Sequence, residues 1–247
     1  MVSCLSVLCQ LATTHTSRPG QRAVIGVSQY QLVHWQNVTL TFFRITQKCN
    51  IDRNSLNPDY VETTNDSFES TKELIEYIRQ LHDGTSPLPP LVYPALTPRF
   101  ALSCTPELLG KIGQLADNDK SLHIQTHISE NRDEVRETLK AFPGFPSLAA
   151  IYDHFGILSE RTILAHGCWV QDEELKLIKE RGAGISHCPT SNFNLRSGFA
   201  RAAEMMRIGV KVTMFTATSI LNSTIISGGI RYGRSRWILS FDLDCNP

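Results

Sequence analysis

The regular alternation of strand-like apolar runs and amphipathic helices between residues 66 and 212 most constrains the fold of this 247-residue chain. A helical segment with Leu74, Ile75, Ile78 and Leu81 on one face is followed by a predicted strand at 91–96. The same pattern predicts further helices at 105–116, 132–141, 146–155, 172–180 and 198–208, and further strands at 122–128, 162–165, 183–187 and 210–215. Strands that alternate with helices of this length indicate βαβ units and a parallel sheet.

Polar side chains follow four successive predicted strands. In a parallel α/β sheet the chemistry sits at the carboxyl ends of the strands. The residues at those ends are Arg99, His127 with Glu130, His166, and the pair Ser191 and Asn192. Four strand ends with functional side chains are a stronger signal than any one of them, and they predict an active site at this edge of the sheet.

The pair His127 and Glu130 is typical of a metal-assisted hydrolase, which needs one group to hold the ion and one beside it to move protons. A structural interpretation stays open, because Glu130 also suits the first turn of a helix with Ser129 as its N-cap. His123 lies four residues before His127, which on a strand separates the two by about 13 Å. We therefore interpret His123 as structural.

His166 comes just after an apolar strand and is followed by Gly167, which allows close approach of the backbone. Alone it would be interpreted as a packing residue, but beside His127 on the neighbouring strand it becomes a candidate catalytic group. His187 and Cys188 are adjacent on a strand and should point to opposite faces, so we interpret both as packing residues.

Charge and composition exclude several classes of partner. The chain has 24 basic and 24 acidic residues, so no net field favours nucleic acid or an anionic membrane. No apolar run approaches the roughly 20 residues of a membrane helix, and residues 1–11 lack the basic start of a secretory leader. Seven dispersed cysteines without a Cys-x-x-Cys pair are typical of reduced thiols. We expect a cytoplasmic protein without nucleic acid or membrane partners.

Four runs of sequence carry a family resemblance. They read TPRFALSC from residue 97, LHIQTHISENRDEV from residue 122, LAHGC from residue 164 and HCPTSN from residue 187. In this order and spacing they resemble the guanine deaminases, zinc enzymes of the amidohydrolase superfamily. The resemblance covers about residues 66–212, and the first two runs together are more specific than the general superfamily pattern.

The resemblance implies a (β/α)₈ TIM barrel with one Zn²⁺ per subunit, which hydrolyses guanine to xanthine and ammonia in purine catabolism. It implies His127 as a zinc ligand, Glu130 as the proton shuttle and His166 as the group that orients the attacking water. Arg99 would donate to the purine oxygen and Phe100 would stack on the ring, with His127 and Glu130 also contacting the substrate. A homodimer is compatible with this resemblance.

The zinc ligands that the family takes from other strands are missing from this sequence. The first-strand His-x-His is absent, and Ala217 stands where the family has the Asp of a Gly-Thr-Asp run. Three of the four ligands are therefore lacking, whereas catalytic zinc sites use three protein ligands. We expect weak zinc binding and no guanine deamination above background.

The flanking regions depart from the family pattern. We interpret residues 1–65 as a disturbed amino-terminal segment, with an insertion at 27–47 that has no strand or helix partner in the pattern and could be translated from a retained intron. Residues 66–212 would form a partial amidohydrolase barrel, followed by a non-matching tail at 213–247. Only four or five strands of an eight-stranded barrel can be assigned, so we expect an incomplete α/β barrel with open edges.

Two other functions remain compatible with the sequence. The chain could be a related amidohydrolase that acts on another purine or a pterin, although the Arg99 and Phe100 pair argues against this. It could also be a non-catalytic fragment that associates with intact subunits through exposed strand edges.

Overall fold

Eight strands and seven helices alternate along most of the chain in the computed structural model, which describes residues 30–34, 43–55, 61–80, 92–214 and 237–241. The strands are β1 Tyr30–His34, β2 Phe43–Asn50, β3 Val92–Pro98, β4 His123–Ile128, β5 Thr162–His166, β6 Gly184–His187, β7 Lys211–Met214 and β8 Trp237–Phe241. The helices are α1 Thr64–Gln80, α2 Pro106–Asn118, α3 Arg132–Ala141, α4 Leu148–His154, α5 Asp172–Glu180, α6 Pro189–Asn194 and α7 Ala202–Ile208, with a 3₁₀ turn at Ala101–Ser103.

All eight strands form one sheet in the order β7-β6-β5-β4-β3-β2-β1-β8. The strands β2 to β7 are parallel and adjacent in chain order, whereas β1 pairs antiparallel with both β2 and β8. Although β7 and β8 end the hydrogen-bonded order, they contact each other, so the sheet curls back on itself. This arrangement confirms the predicted α/β class and the partial barrel.

The helices cover the sheet with their apolar faces, as the sequence periodicity predicts. In α2, Leu108, Leu109 and Ile112 are fully buried against the sheet. The helix begins where the Thr105 hydroxyl accepts a hydrogen bond from the Leu108 amide, and Pro106 follows at the first helical position, where its missing amide hydrogen costs nothing. Local capping and burial thus both define this element.

Gly113 allows α2 to approach the end of α4 closely. A β-carbon at this position would lie 1.7 Å from the carbonyl oxygen of Phe155, well inside any permitted contact. Gly110, one turn earlier on the same helix, has only a side-chain carbon of Phe155 at 4.0 Å. The packing therefore requires glycine at 113 and not at 110.

The structure has strands in the amino-terminal region and in the tail, where the sequence predicted none. The segment 27–47 was expected to have no strand partner, yet β1 lies within it and β2 begins in it. Strand β2 pairs in parallel with β3 from Arg44 opposite Val92 to Asn50 opposite Pro98. The count of four or five strands was also wrong, because β1, β2 and β8 join the sheet. Aromatic and polar residues obscured the strand period here.

Three helices also differ from the sequence prediction. Helix α4 begins later than the predicted residue 146, because Ser147 is extended and acts as its N-cap. The Ser147 hydroxyl accepts a hydrogen bond from the Ala150 amide. Helix α7 begins at Ala202 and not at 198, because Gly198 has a φ of +137° that an α-helix does not allow. Helix α6 was not predicted at all.

Several sequence predictions lie outside the described residues. These are the absence of a leader at 1–11, most of the proposed insertion and of the tail, and the position of Ala217. The division of the chain into three segments therefore stays a prediction. Within the described ranges, no helix has the length and apolar character needed to cross a membrane.

Candidate active site

His127 occupies the end of β4 with its imidazole held by the neighbouring strand end. Its Nδ1 lies 2.7 Å from the carbonyl oxygen of Arg99, which can only accept, so Nδ1 carries the proton of the neutral ring. Burial and then the neighbouring His166 lower the pKa of His127 well below its ordinary value. The ring is therefore neutral at pH 7, and this tautomer leaves its lone pair on Nε2, which is one of the two nitrogens through which a histidine can bind a metal.

His166 stacks on His127 from the end of β5. The ring centroids are 5.1 Å apart and the planes differ by 19°. Backbone strain accompanies this position, since His166 has a φ of +74° and is followed by Gly167 at +66°. Left-handed conformations of residues other than glycine are uncommon and concentrate at functional sites. The sheet thus brings together the two histidines that the sequence placed at adjacent strand ends.

Glu130 lies beside this pair, as the sequence predicted. One carboxylate oxygen, Oε1, is 3.7 Å from Nδ1 of His166 and accepts a hydrogen bond of 3.0 Å from the Ser197 hydroxyl. The predicted N-cap, however, was wrong. Asn131 caps α3 by accepting a hydrogen bond from the Glu134 amide, whereas Ser129 has a φ of +49° and its hydroxyl caps no helix.

Glu134 is a buried carboxyl group directly behind Glu130. Its Oε2 accepts hydrogen bonds from the backbone amides of Glu130 and Asn131, at 2.7 and 3.4 Å. Burial raises the pKa of Glu134 to about 7. Oε1 of Glu134 is also buried, without a hydrogen-bond partner among the described residues. Glu134 therefore fixes the backbone that carries Glu130.

Arg99 and Phe100 form the side of the site that faces β3. The guanidinium carbon of Arg99 lies 5.4 Å from the Phe100 ring centroid, and the Phe100 ring meets His127 edge-on at 6.4 Å. Both residues are half-buried, so they border the site without being sealed in the core. A planar cation and an aromatic face together suit a flat, oxygen-bearing heterocycle.

Tyr152 supports the backbone of the site through hydrogen bonds of its phenol oxygen. The hydroxyl donates to the carbonyl oxygen of His127 at 2.6 Å and accepts from the Ala101 amide at 3.0 Å. The Thr126 hydroxyl lies 3.2 Å from the same oxygen. Tyr152 is fully buried, and this burial raises the pKa of its phenol, which therefore stays protonated.

The structure also places the remaining histidines and cysteines. His123 begins β4 and His127 lies near its other end, so the two histidines are separated along a strand as predicted. His187 is half-buried, and its Nδ1 lies 3.4 Å from the Asn192 amide nitrogen, so it borders the site, and its interpretation as a packing residue stays a prediction. Burial raises the pKa of Cys168 to about 12, which favours the protonated thiol over the nucleophilic thiolate.

The described residues offer two imidazoles for a zinc ion and no complete ligand set. His127 has its proton on Nδ1 and its lone pair on Nε2, and the ring of His166 stacks beside it. Within the described ranges, no group of three or more histidine, cysteine, aspartate or glutamate side chains is arranged to hold a metal. A catalytic zinc uses three protein ligands. This part of the chain therefore does not fit a catalytic zinc by itself.

Sequence reasoning missed the supporting residues Glu134, Tyr152 and Ser197. The spacing of Asn131 and Glu134 is a capping-box signature and could have identified Glu134 as a backbone-binding carboxylate. No local signal marks Tyr152 or Ser197, because their partners are distant in sequence. Asn192 was noted only as a strand-end residue, and the structure shows it beside His166.

Comparison with known proteins shows the family of this chain. A sequence profile of the Amidohydrolase family matches residues 30–239. The guanine deaminase of Homo sapiens is 34% identical over 234 residues, which are 91% of this chain and 44% of that protein. The guanine deaminase of Dictyostelium discoideum is 40% identical over 215 residues, with 83% and 41% covered.

Solved structures show the same likeness. The guanine deaminase from C. acetobutylicum, solved with guanine in its active site, has a TM-score of 0.62 and 33% identity over 68% of this chain and 38% of that one. The chain thus spans less than half the length of the relatives it matches. Because the family profile matches most of its length and its candidate site lies at the strand ends, we conclude that this chain belongs to the amidohydrolase family.

Proposed function

We propose that the strand-end cluster is the substrate-binding and proton-transfer part of a guanine deaminase site, which acts in purine catabolism. The observation that carries the proposal is the convergence of Glu130 and the stacked pair His127 and His166 beside Arg99. The similarity to guanine deaminases, one of them solved with bound guanine, supports this substrate.

In this proposal Arg99 and Phe100 select the purine. The guanidinium group of Arg99 has five donors and no acceptor, so it matches the exocyclic carbonyl oxygen O6 of guanine and rejects the exocyclic amine that adenine has at the same position. Phe100 supplies an aromatic face beside that cation. The purine would then lie against His127, whose ring makes a T-shaped contact with Phe100.

Glu130 is the group that moves protons. The two described contacts to its carboxylate, from Ser197 and His166, both fall on Oε1. The Oε2 side can therefore take a proton from the attacking water and return it to the departing amine. A positioned general acid and base of this kind contributes typically about 10²–10⁴-fold to the rate.

A zinc ion would supply an activated water at neutral pH in enzymes of this type. Because the described residues do not complete its ligand set, we derive no step through the metal. We propose that the chain by itself holds well under one zinc per molecule and deaminates no guanine above background. Metal analysis and a xanthine assay test this, and stoichiometric zinc with turnover that Glu130→Gln abolishes would contradict it.

Guanine binding by the full chain tests the substrate assignment directly. In equilibrium dialysis with labelled guanine, Arg99→Leu should weaken binding about 10- to 100-fold, because it removes a charged hydrogen bond. Arg136→Leu is the matched control, since Arg136 is exposed on α3 and pairs with Asp133 and Glu137. Equal guanine binding by both variants and the unchanged chain would refute the assignment.

A second candidate is deamination of an adenine-type purine. The 5-methylthioadenosine/S-adenosylhomocysteine deaminase 2 of Archaeoglobus fulgidus is 35% identical over 130 residues. Adenosine and pterins in the same dialysis series distinguish these substrates from guanine. Co-purification with a full-length relative would instead support a non-catalytic role in which this chain associates with intact subunits.

A further inference from the structure

We propose that the turn formed by residues 192–198, which spans the end of α6 and the start of the link to α7, positions both His166 and Glu130, through Asn192 and Ser197. Neither residue would touch the purine. The inference deepens the proposed function, because it names the groups that orient the proton-handling side chains of the same site. It depends on contacts within the chain and not on bound guanine or metal.

Asn192 holds the imidazole of His166. Its Oδ1 lies 2.8 Å from Nδ1 of His166, and both side chains are almost fully buried, at 1% and 2% exposure. The other end of the Asn192 amide, Nδ2, faces His187 at 3.4 Å. Because an amide oxygen only accepts, the Nδ1 of His166 must donate, and the lone pair of the neutral ring lies on Nε2.

Ser197 holds Glu130 from the same turn. Its hydroxyl donates to Oε1 of Glu130 at 3.0 Å, and its backbone amide donates to the carbonyl oxygen of Asn192 at 2.8 Å. The two positioning residues are therefore joined to each other by a backbone hydrogen bond. A shift of one would displace the other, so His166 and Glu130 are oriented as a unit.

The turn is itself held in place by Trp169. The indole Nε1 donates to the carbonyl oxygen of Ser197 at 2.7 Å, and Arg132 stacks over the indole ring at 4.1 Å. Gly198 is required at the next position, since a β-carbon there would lie 2.9 Å from Nε1 of Trp169. Such support by rigid neighbours is what a positioning role needs, because small displacements of a catalytic group are costly.

Asn192 also keeps His166 from pairing with Glu130. The Nδ1 proton of His166 faces two acceptors, Asn192 at 2.8 Å and the Glu130 carboxylate at 3.7 Å. A carboxylate is the stronger acceptor, so it would capture this proton if the amide oxygen were removed. The Glu130 carboxylate would then be tied to His166 and less available to water.

Nitrogen-15 NMR of the imidazole rings in the full chain, recorded where they are neutral, tests the proposal. In the unchanged chain we expect His166 to carry its proton on Nδ1. In Asn192→Leu the Nδ1 proton signal should move downfield, because its acceptor becomes the charged carboxylate. In the double variant Asn192→Leu/Glu130→Leu, the Nδ1-protonated tautomer should fall about five- to tenfold, as expected for the loss of a hydrogen bond of ordinary strength.

Two further variants and the unchanged chain keep the outcome decisive. Glu130→Gln and Ser197→Ala should leave the His166 signal in place, because Asn192 remains its acceptor, while Ser197→Ala should shift the carboxyl carbon signal of Glu130. A His166 ring protonated on Nε2 in the unchanged chain would overturn the proposal, and this result requires no folded variant. Loss of guanine binding in dialysis would instead refute the proposed function and leave these signals unaffected.

Discussion

Removal of the Tyr152 hydroxyl is the sharpest test of how the site is supported. In Tyr152→Phe the ring remains and only the oxygen is lost. That oxygen has three polar neighbours: the carbonyl oxygen of His127 at 2.6 Å, the amide of Ala101 at 3.0 Å and the hydroxyl of Thr126 at 3.2 Å. Tyr152 and Ala101 are both fully buried, so water cannot replace the lost partner.

The expected cost follows from these contacts. A hydrogen bond has a net value of about 1 kcal/mol, and a buried donor left without a partner costs about 1–3 kcal/mol. We therefore expect Tyr152→Phe to lower the free energy of unfolding by about 2–4 kcal/mol, a large share of the stability of a domain. Urea denaturation followed by circular dichroism measures this difference directly.

Thr138→Val is the matched control for this prediction. Thr138 is also fully buried, but its hydroxyl has no hydrogen-bond partner among the described residues. Its replacement by the isosteric Val should lower the free energy of unfolding by no more than about 0.5 kcal/mol, and an increase is also compatible with the reasoning. If the two variants cost the same, or if Tyr152→Phe costs under about 0.5 kcal/mol, the phenol is not a structural support and the reasoning fails.

Further predictions concern close packing and a buried carboxyl group. Gly113→Ala should destabilise the fold by more than about 2 kcal/mol through overpacking, whereas Gly110→Ala on the same helix should be neutral or stabilising by up to about 1 kcal/mol, and thermal unfolding separates them. Because the pKa of Glu134 is raised from 4.5 to about 7, the folded state binds its proton more tightly, and stability should fall as pH rises through this window. This loss of stability should amount to at most about 3 kcal/mol, and Glu134→Gln should abolish it. If the variant keeps the same dependence of stability on pH, the prediction is wrong.

The central fold was predictable because its signals are local. Apolar spacing located β3 to β7, and the predicted bounds of α3 and α5, 132–141 and 172–180, agree with the structure. The ends of α4 and α7 were misplaced because Ser147 and Gly198 act through their backbone conformation. Strands β1 and β8 escaped prediction because their residues lack a clear period of two, and β2 escaped it because its alternation extends only from Phe43 to Thr46. Pairing with neighbouring strands defines all three.

The sequence by itself determined the parallel α/β architecture and the strand-end placement of Arg99, His127, Glu130 and His166, since hydrophobic periodicity and motif spacing are properties of short segments. Only the tertiary structure decided what surrounds them. Ser197 contacts Glu130 across 67 residues, and Asn192 contacts His166 across 26. Such contacts depend on the curvature of the sheet and the path of the turn after β6, and neither is encoded in the residues that they bring together.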